Sequence, residues 1–152
     1  MRLIVLGCGG AWNIEPSKRI VGVVDDEIDI TTLFHDVLCE NLLDASVYAF
    51  NDPVAALKHF TENESNYALI ISDLRMPGLN GLELLKKVKG SKPEVRTILM
   101  SAYNFDEDPI YQKYMKEGII DSTIEKPVTI YRLCQRVKDE LNAYEPKIEN
   151  KK

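Results

Sequence analysis

From Ile20 to Leu141 the chain alternates short apolar, β-branched runs with longer stretches whose apolar residues recur at helical spacing. Strands and helices taken in turn are the mark of a parallel sheet covered on both faces. The strand candidates are Ile20 to Val24, Ser46 to Phe50, Ala68 to Ser72, Arg96 to Met100 and a short Ser122 to Ile124. Most are near-continuous in apolar residues, as strands buried on both sides must be. Between them, Ile30, Leu33, Phe34, Val37 and Leu38 form one helical stripe, and Val54, Leu57 and Phe60 a second. Leu82, Leu85 and Val88 form a third, and Ile130, Leu133, Cys134, Val137 and Leu141 a last. Asp52-Pro53 and Asn80-Gly81 open helices, Gly90 closes one, and Pro127-Val128-Thr129 introduces the last. The fourth helix, somewhere in Asp106 to Glu117, is the least regular.

The pattern divides the chain into an extension at 1–18, a domain at 19–142 and a short polar tail at 143–152. The tail is Lys- and Glu-rich and leaves no room for an output domain, so a stand-alone domain is expected. In the extension, Leu3 to Leu6 runs into Gly7-Cys8-Gly9-Gly10, like a strand entering a phosphate-binding turn. Trp12 stands where a dinucleotide fingerprint has its third glycine, and a strand rather than a helix follows. The segment reads as an arm, an edge addition or an artefact of the start site. Val5-Leu6-Gly7-Cys8 imitates a lipoprotein cleavage box, but no adequate apolar core precedes it.

Composition narrows the classes. The 152 residues are 45% apolar and 28% charged, as in ordinary globular domains. The net charge of −5 comes with no basic stripe, which argues against direct nucleic-acid binding. No apolar run approaches the ~20 residues needed to span a bilayer. Cys8, Cys39 and Cys134 have no metal-type spacing and read as small core fillers in a reduced cytoplasm.

In an open parallel sheet, ligands gather at the carboxyl ends of the strands. Asp25-Asp26-Glu27 ends the first predicted strand, Asp73 the third, Ser101 the fourth and Glu125-Lys126-Pro127 the fifth. Carboxylates crowded at a desolvated edge repel one another and call for a cation. Oxygen donors of this kind suit Mg2+, with a backbone carbonyl and waters completing its shell. Such an ion would let an aspartate attack a phosphorylated donor, with the lysine and the serine hydroxyl meeting phosphoryl oxygens.

Asp25-Asp26-Glu27, Ser72-Asp73-Leu74-Arg75-Met76-Pro77-Gly78-Leu79-Asn80-Gly81, Ser101-Ala102 and Glu125-Lys126-Pro127 together resemble the signature of response regulator receiver domains of two-component signalling. The resemblance covers about Ile20 to Leu141. It implies a CheY-like, flavodoxin-like (βα)5 three-layer sandwich around a five-stranded parallel sheet. It also implies Asp73 as phospho-acceptor, with Asp26 and Asp73 as direct Mg2+ ligands, Asp25 assisting through water and the Arg75 carbonyl completing the set. Ser101 would be the switch hydroxyl, Lys126 the phosphoryl-pairing cation and Lys126-Pro127 a cis peptide. Partners would be a histidine kinase or phosphotransfer protein and an unknown downstream protein. The resemblance also allows a homodimer through the fourth helix, the fifth strand and the fifth helix. The domain would catalyse its own phosphorylation and slow hydrolysis without being a conventional enzyme.

One position departs from the family. An aromatic residue usually stands three places before the lysine, and here Thr123 does. That keeps open a second reading, a pseudo-receiver that works through protein contacts without phosphorylation. Tyr103 would take over part of the aromatic role, and Arg75 and Tyr103 flank the site where they would slow self-dephosphorylation. A flavin- or nucleotide-binding enzyme of similar topology lacks its phosphate-cradling glycine loop after Val24. Glu27 and Glu125 read as solvated neighbours, and His35 and His59 as surface or packing residues.

Overall fold

The computed structural model describes residues 5–7, 19–102 and 108–146. Their elements run β1 (Val5–Gly7), β2 (Ile20–Val24), α1 (Ile28–Asn41), β3 (Ser46–Phe50), α2 (Pro53–Glu62), a 3-10 turn (Glu64–Asn66) and β4 (Tyr67–Asp73). They continue with α3 (Gly81–Ser91), β5 (Arg96–Ser101), α4 (Pro109–Lys116), β6 (Ser122–Glu125) and α5 (Ile130–Ala143). The sheet order is β1-β3-β2-β4-β5-β6. All pairings from β3 to β6 are parallel, and β1 pairs antiparallel with β3, Val5 opposite Phe50 and Gly7 opposite Tyr48. The five expected parallel strands are therefore present, with a sixth short strand added at one edge.

Alternate residues of the central strands feed two separate cores. Val21, Val23, Leu69, Ile71, Ile98 and Met100 meet Phe34, Leu38, Leu133 and Val137 of α1 and α5. Val24, Ile70 and Leu99 meet Phe60, Leu84, Leu85 and Val88 of α2 and α3, together with Tyr111 of α4. Every residue of β2 and of β4 is buried, which is why neither shows a polar alternation. Helices on both faces of one sheet give the three-layer α/β architecture expected.

The caps explain where the helices begin. The side chains of Asp52, Asn80, Asp108 and Thr129 accept backbone N–H groups of the first turns of α2, α3, α4 and α5. Gly90 does not close α3, which continues through Ser91. Three expected core residues, Leu33, Val54 and Ile130, face outward. In α1 the buried line runs through Thr31, Phe34 and Leu38, and in α2 through Pro53, Ala56 and Phe60. Thr31 tolerates the interior because its hydroxyl donates to the Ile28 carbonyl at 2.9 Å. Cys134 is a free thiol, whereas Cys39 is disulfide-bonded, not the reduced filler expected of it. Cys8, Trp12 and Tyr103 lie outside the described residues.

Candidate functional site

The chain leaves β2 for β3 on one side of it and returns to β4 on the other, so a crevice opens where the strand order reverses. Asp25 and Asp26 follow the end of β2, and Asp73 is the last residue of β4. Ligand oxygens of Asp25, Asp26 and Asp73 all lie within 4.8 Å of one another. Lys126, just past the end of β6, reaches across with Nζ 3.1 Å from Asp25 Oδ2 and 3.1 Å from Asp73 Oδ1. Acids from two strands and an amine from a third thus converge from segments about a hundred residues apart.

A hollow of about 390 Å³ opens over them, lined by Asp26, Glu27, Asp73, Arg75, Ser101, Ala102 and Lys126. Asp25 lies beneath it, fully buried. Its Oδ1 accepts the Glu27 N–H at 2.9 Å and its Oδ2 accepts from Lys126. Ser101 is buried at the end of β5, and Arg75 stands exposed at the rim. Lys126-Pro127 is a cis peptide.

The electrostatics are those of too little positive charge. Burial pushes the Asp25 carboxyl up to about 6, and Asp73 adds to this, against the Glu27 N–H and Lys126. Asp73 is also raised, by burial first and by Asp26, with Lys126 opposing. Burial pulls Lys126 down, but the charges and hydrogen bonds of Asp25 and Asp73 outweigh it and raise its pKa overall. Three carboxylates facing one ammonium leave an excess negative charge in a part-desolvated pocket. Hard oxygen donors at this mutual distance fit a small divalent cation.

Most of the sequence-derived site is therefore brought together: Asp25, Asp26, Asp73, Arg75, Ser101 and Lys126 surround or line one hollow. Thr123 is not among its lining residues; it is half-buried in β6, opposite Leu99 of β5. Tyr103 belongs to the undescribed stretch. Glu27, read as a solvated neighbour, is exposed yet lines the hollow and supplies the N–H that Asp25 accepts. His59 packs elsewhere, with Nδ1 2.6 Å from the Tyr67 hydroxyl. His35 lies beside Asp36 at 3.0 Å.

The family model described as the response regulator receiver domain matches residues 21–138. The chain belongs to that family. This receiver is 28% identical over 122 residues to the cyclic di-GMP phosphodiesterase response regulator RpfG of Xanthomonas campestris pv. campestris, across 78% of this chain and 31% of that protein. It is 32% identical over 129 residues to the DNA-binding transcriptional regulator NtrC of Salmonella typhimurium, across 84% of this chain and 26% of that one. With the two-component response regulator ORR3 of Oryza sativa, the identity is 30% over 129 residues, across 81% of this chain and 92% of ORR3. The receiver thus spans a third or less of RpfG and NtrC, but nearly all of ORR3. Among solved structures, a response regulator receiver domain from Clostridium thermocellum superposes with a TM-score of 0.72 at 26% identity, covering 82% of this chain and 95% of that one. The chemotaxis protein CheY4 of Vibrio cholerae shares the fold at a TM-score of 0.68 and 21% identity, covering 80% and 97%. Among the described residues, no helix is long and apolar enough to cross a membrane.

Proposed function

We propose that the domain at 19–142 is a phosphorylation-operated switch of a two-component phosphorelay, with Asp73 as the acceptor. A histidine kinase or phosphotransfer protein in the cytoplasm would present phosphohistidine. An Asp73 carboxylate oxygen attacks phosphorus, the new O–P bond forms as the P–N bond breaks, and the imidazole leaves with the electron pair. The Lys126 ammonium pairs with one phosphoryl oxygen as its contact to Asp73 is given up, and the Ser101 hydroxyl donates to another. The single observation that supports this most is Lys126 standing 3.1 Å from both Asp25 and Asp73 across the hollow.

Asp26 and Asp73 would hold Mg2+ directly, Asp25 would assist through water, and the Arg75 carbonyl would complete the protein's share. Bound there, the ion would offset the charge gathering on the phosphoryl oxygens. Arg75 and Tyr103 would restrict water at the acyl phosphate and slow self-dephosphorylation. The added charge then biases the surface of α4, β6 and α5 toward a downstream protein or a second copy of the chain. Ile110 and Met115 of α4 and Tyr131 of α5 are exposed on those elements, which favours a contact role.

Acetyl phosphate with Mg2+ should label the wild-type chain, and Asp73→Asn should take no label. Persistent labelling of the Asp73→Asn chain would place the acceptor elsewhere. Thr123, in place of the family's aromatic residue, favours the second reading of a receiver that signals by contacts alone. Beryllofluoride with Mg2+ separates the two: broad amide-signal changes across α4, β6 and α5 support the switch, and changes confined to the acid cluster support the contact module.

A further inference from the structure

The peptide that follows Asp73 is gripped from two directions. On one side, the first residue of α3 is Gly81, buried directly against it. A Cβ at this position would overlap the Asp73 carbonyl oxygen and stand 3.0 Å from its carbonyl carbon and 3.1 Å from Leu74 Cα. All three are backbone atoms, so none can swing aside as a side-chain tip would. Four other glycines differ: Gly22 meets the ring of Tyr67, and Gly78, Gly90 and Gly118 face open space. Gly81 N–H also donates to the Leu74 carbonyl at 2.8 Å, closing the loop that begins at Asp73. From the other side, the fully buried Ser72 hydroxyl donates to the same Asp73 carbonyl at 2.9 Å. Leu74 N–H donates to Met100 of β5 at 2.9 Å, tying the peptide to the neighbouring strand.

We infer that Gly81 and Ser72 are positioning residues for the Asp73 carboxylate, fixing its distance to Lys126 through the Asp73 main chain. The inference rests on the reading of Asp73 as phospho-acceptor. Gly81 is needed here for space, since its φ is not in the left-handed region. Any side chain there must push the end of β4 or the start of α3. Asp73 Oδ1 meets Lys126 Nζ at 3.1 Å, so a shift of about an ångström in the main chain takes the pair out of hydrogen-bond range. Misplacement on that scale can cost roughly a hundredfold in rate.

The test uses the full chain, acetyl phosphate and Mg2+, at a temperature where circular dichroism shows every variant folded. Gly81→Ala should label at least tenfold more slowly than wild type, and its half-saturating Mg2+ concentration should rise at least threefold. Ser72→Ala should label about threefold more slowly, and Ser72→Thr, which restores the hydroxyl, should recover most of the rate. Val88→Ala trims a buried side chain two turns further along the same helix, and serves as the control for lost stability. It should lower the melting temperature yet stay within twofold of wild type in both labelling and Mg2+ affinity. A folded Gly81→Ala within twofold of wild type, or a Val88→Ala equally slowed, overturns the inference. If Gly81→Ala does not fold, equal rates for Ser72→Ala and wild type overturn it instead. A wild type that binds Mg2+ but takes no label sinks the acceptor reading alone, and the Mg2+ affinities then decide the positioning claim. A wild type that does neither sinks both.

Discussion

Two charged clusters among the described residues are built on opposite balances of charge. At the carboxyl end of the sheet, Asp25, Asp26 and Asp73 cluster together, and the ammonium of Lys126 bridges Asp25 and Asp73. Toward the other end, Asp121 and Glu140 meet Lys89 and Arg96: Lys89 to Asp121 at 2.7 Å, Arg96 to Asp121 at 3.7 Å, and Arg96 to Glu140 at 2.7 Å. Two acids against two bases close that network, and Asp121 also accepts the Thr97 N–H at 2.9 Å. The balanced cluster ties α3, β5, α5 and the residue leading into β6 together and asks for nothing from outside. The unbalanced one holds carboxyls whose pKa values burial has driven upward, with more acid than Lys126 alone offsets. Comparable numbers of charges thus leave one cluster closed on itself and the other with an excess of acid.

The largest effect should come from unbalancing the closed network. Asp121→Ala leaves Lys89 without its carboxylate and Thr97 without its acceptor at a site where both partners are mostly buried. A loss of about 3 kcal/mol in urea unfolding is expected, with labelling by acetyl phosphate unaffected in the folded fraction. Less than about 1 kcal/mol would mean that solvent already screens the network.

Balancing the open cluster should work in the other direction. Mg2+ at about a hundredfold its dissociation constant should stabilise wild type by about 2.7 kcal/mol. Asp25→Asn should weaken that response and raise the ion-free stability by about 1 kcal/mol, because one of three repelling carboxylates is removed. A chain whose melting temperature ignores Mg2+, or an Asp25→Asn chain weakened in its absence, would contradict the picture of uncompensated charge.

The smallest effect concerns a group in neither cluster. Ser122 Oγ is buried and has no hydrogen-bond partner among the described residues. Ser122→Ala should therefore be neutral or stabilising, by several tenths of a kcal/mol in thermal unfolding. A loss greater than about 1 kcal/mol would show that the hydroxyl has a partner such as a buried water.

The unbalanced cluster could be read in the sequence because each acid closes a run of apolar strand residues, and parallel strands deliver such ends to one edge. The balanced one could not, since its partners lie 24 to 44 positions apart with no periodicity linking them. Helix faces were legible to within about one position. Leu33 and Val54 border the buried line, so the same apolar letters fit either side of it. Helix α4 resisted because only Tyr111 of its eight residues is buried, which leaves no stripe to follow. Gly81 was visible as a helix opener, but nothing in the letters around it announces a backbone pressed against Asp73.

The short antiparallel strand at the margin has a consequence for solubility. By capping β3 from Tyr48 to Phe50, β1 occupies main-chain groups that would otherwise template a foreign strand. Among the described residues, the borders still open to such growth are the outer side of the three-residue β1, the first two positions of β3 and the four-residue β6. Runs that short offer little purchase for fibril-like stacking.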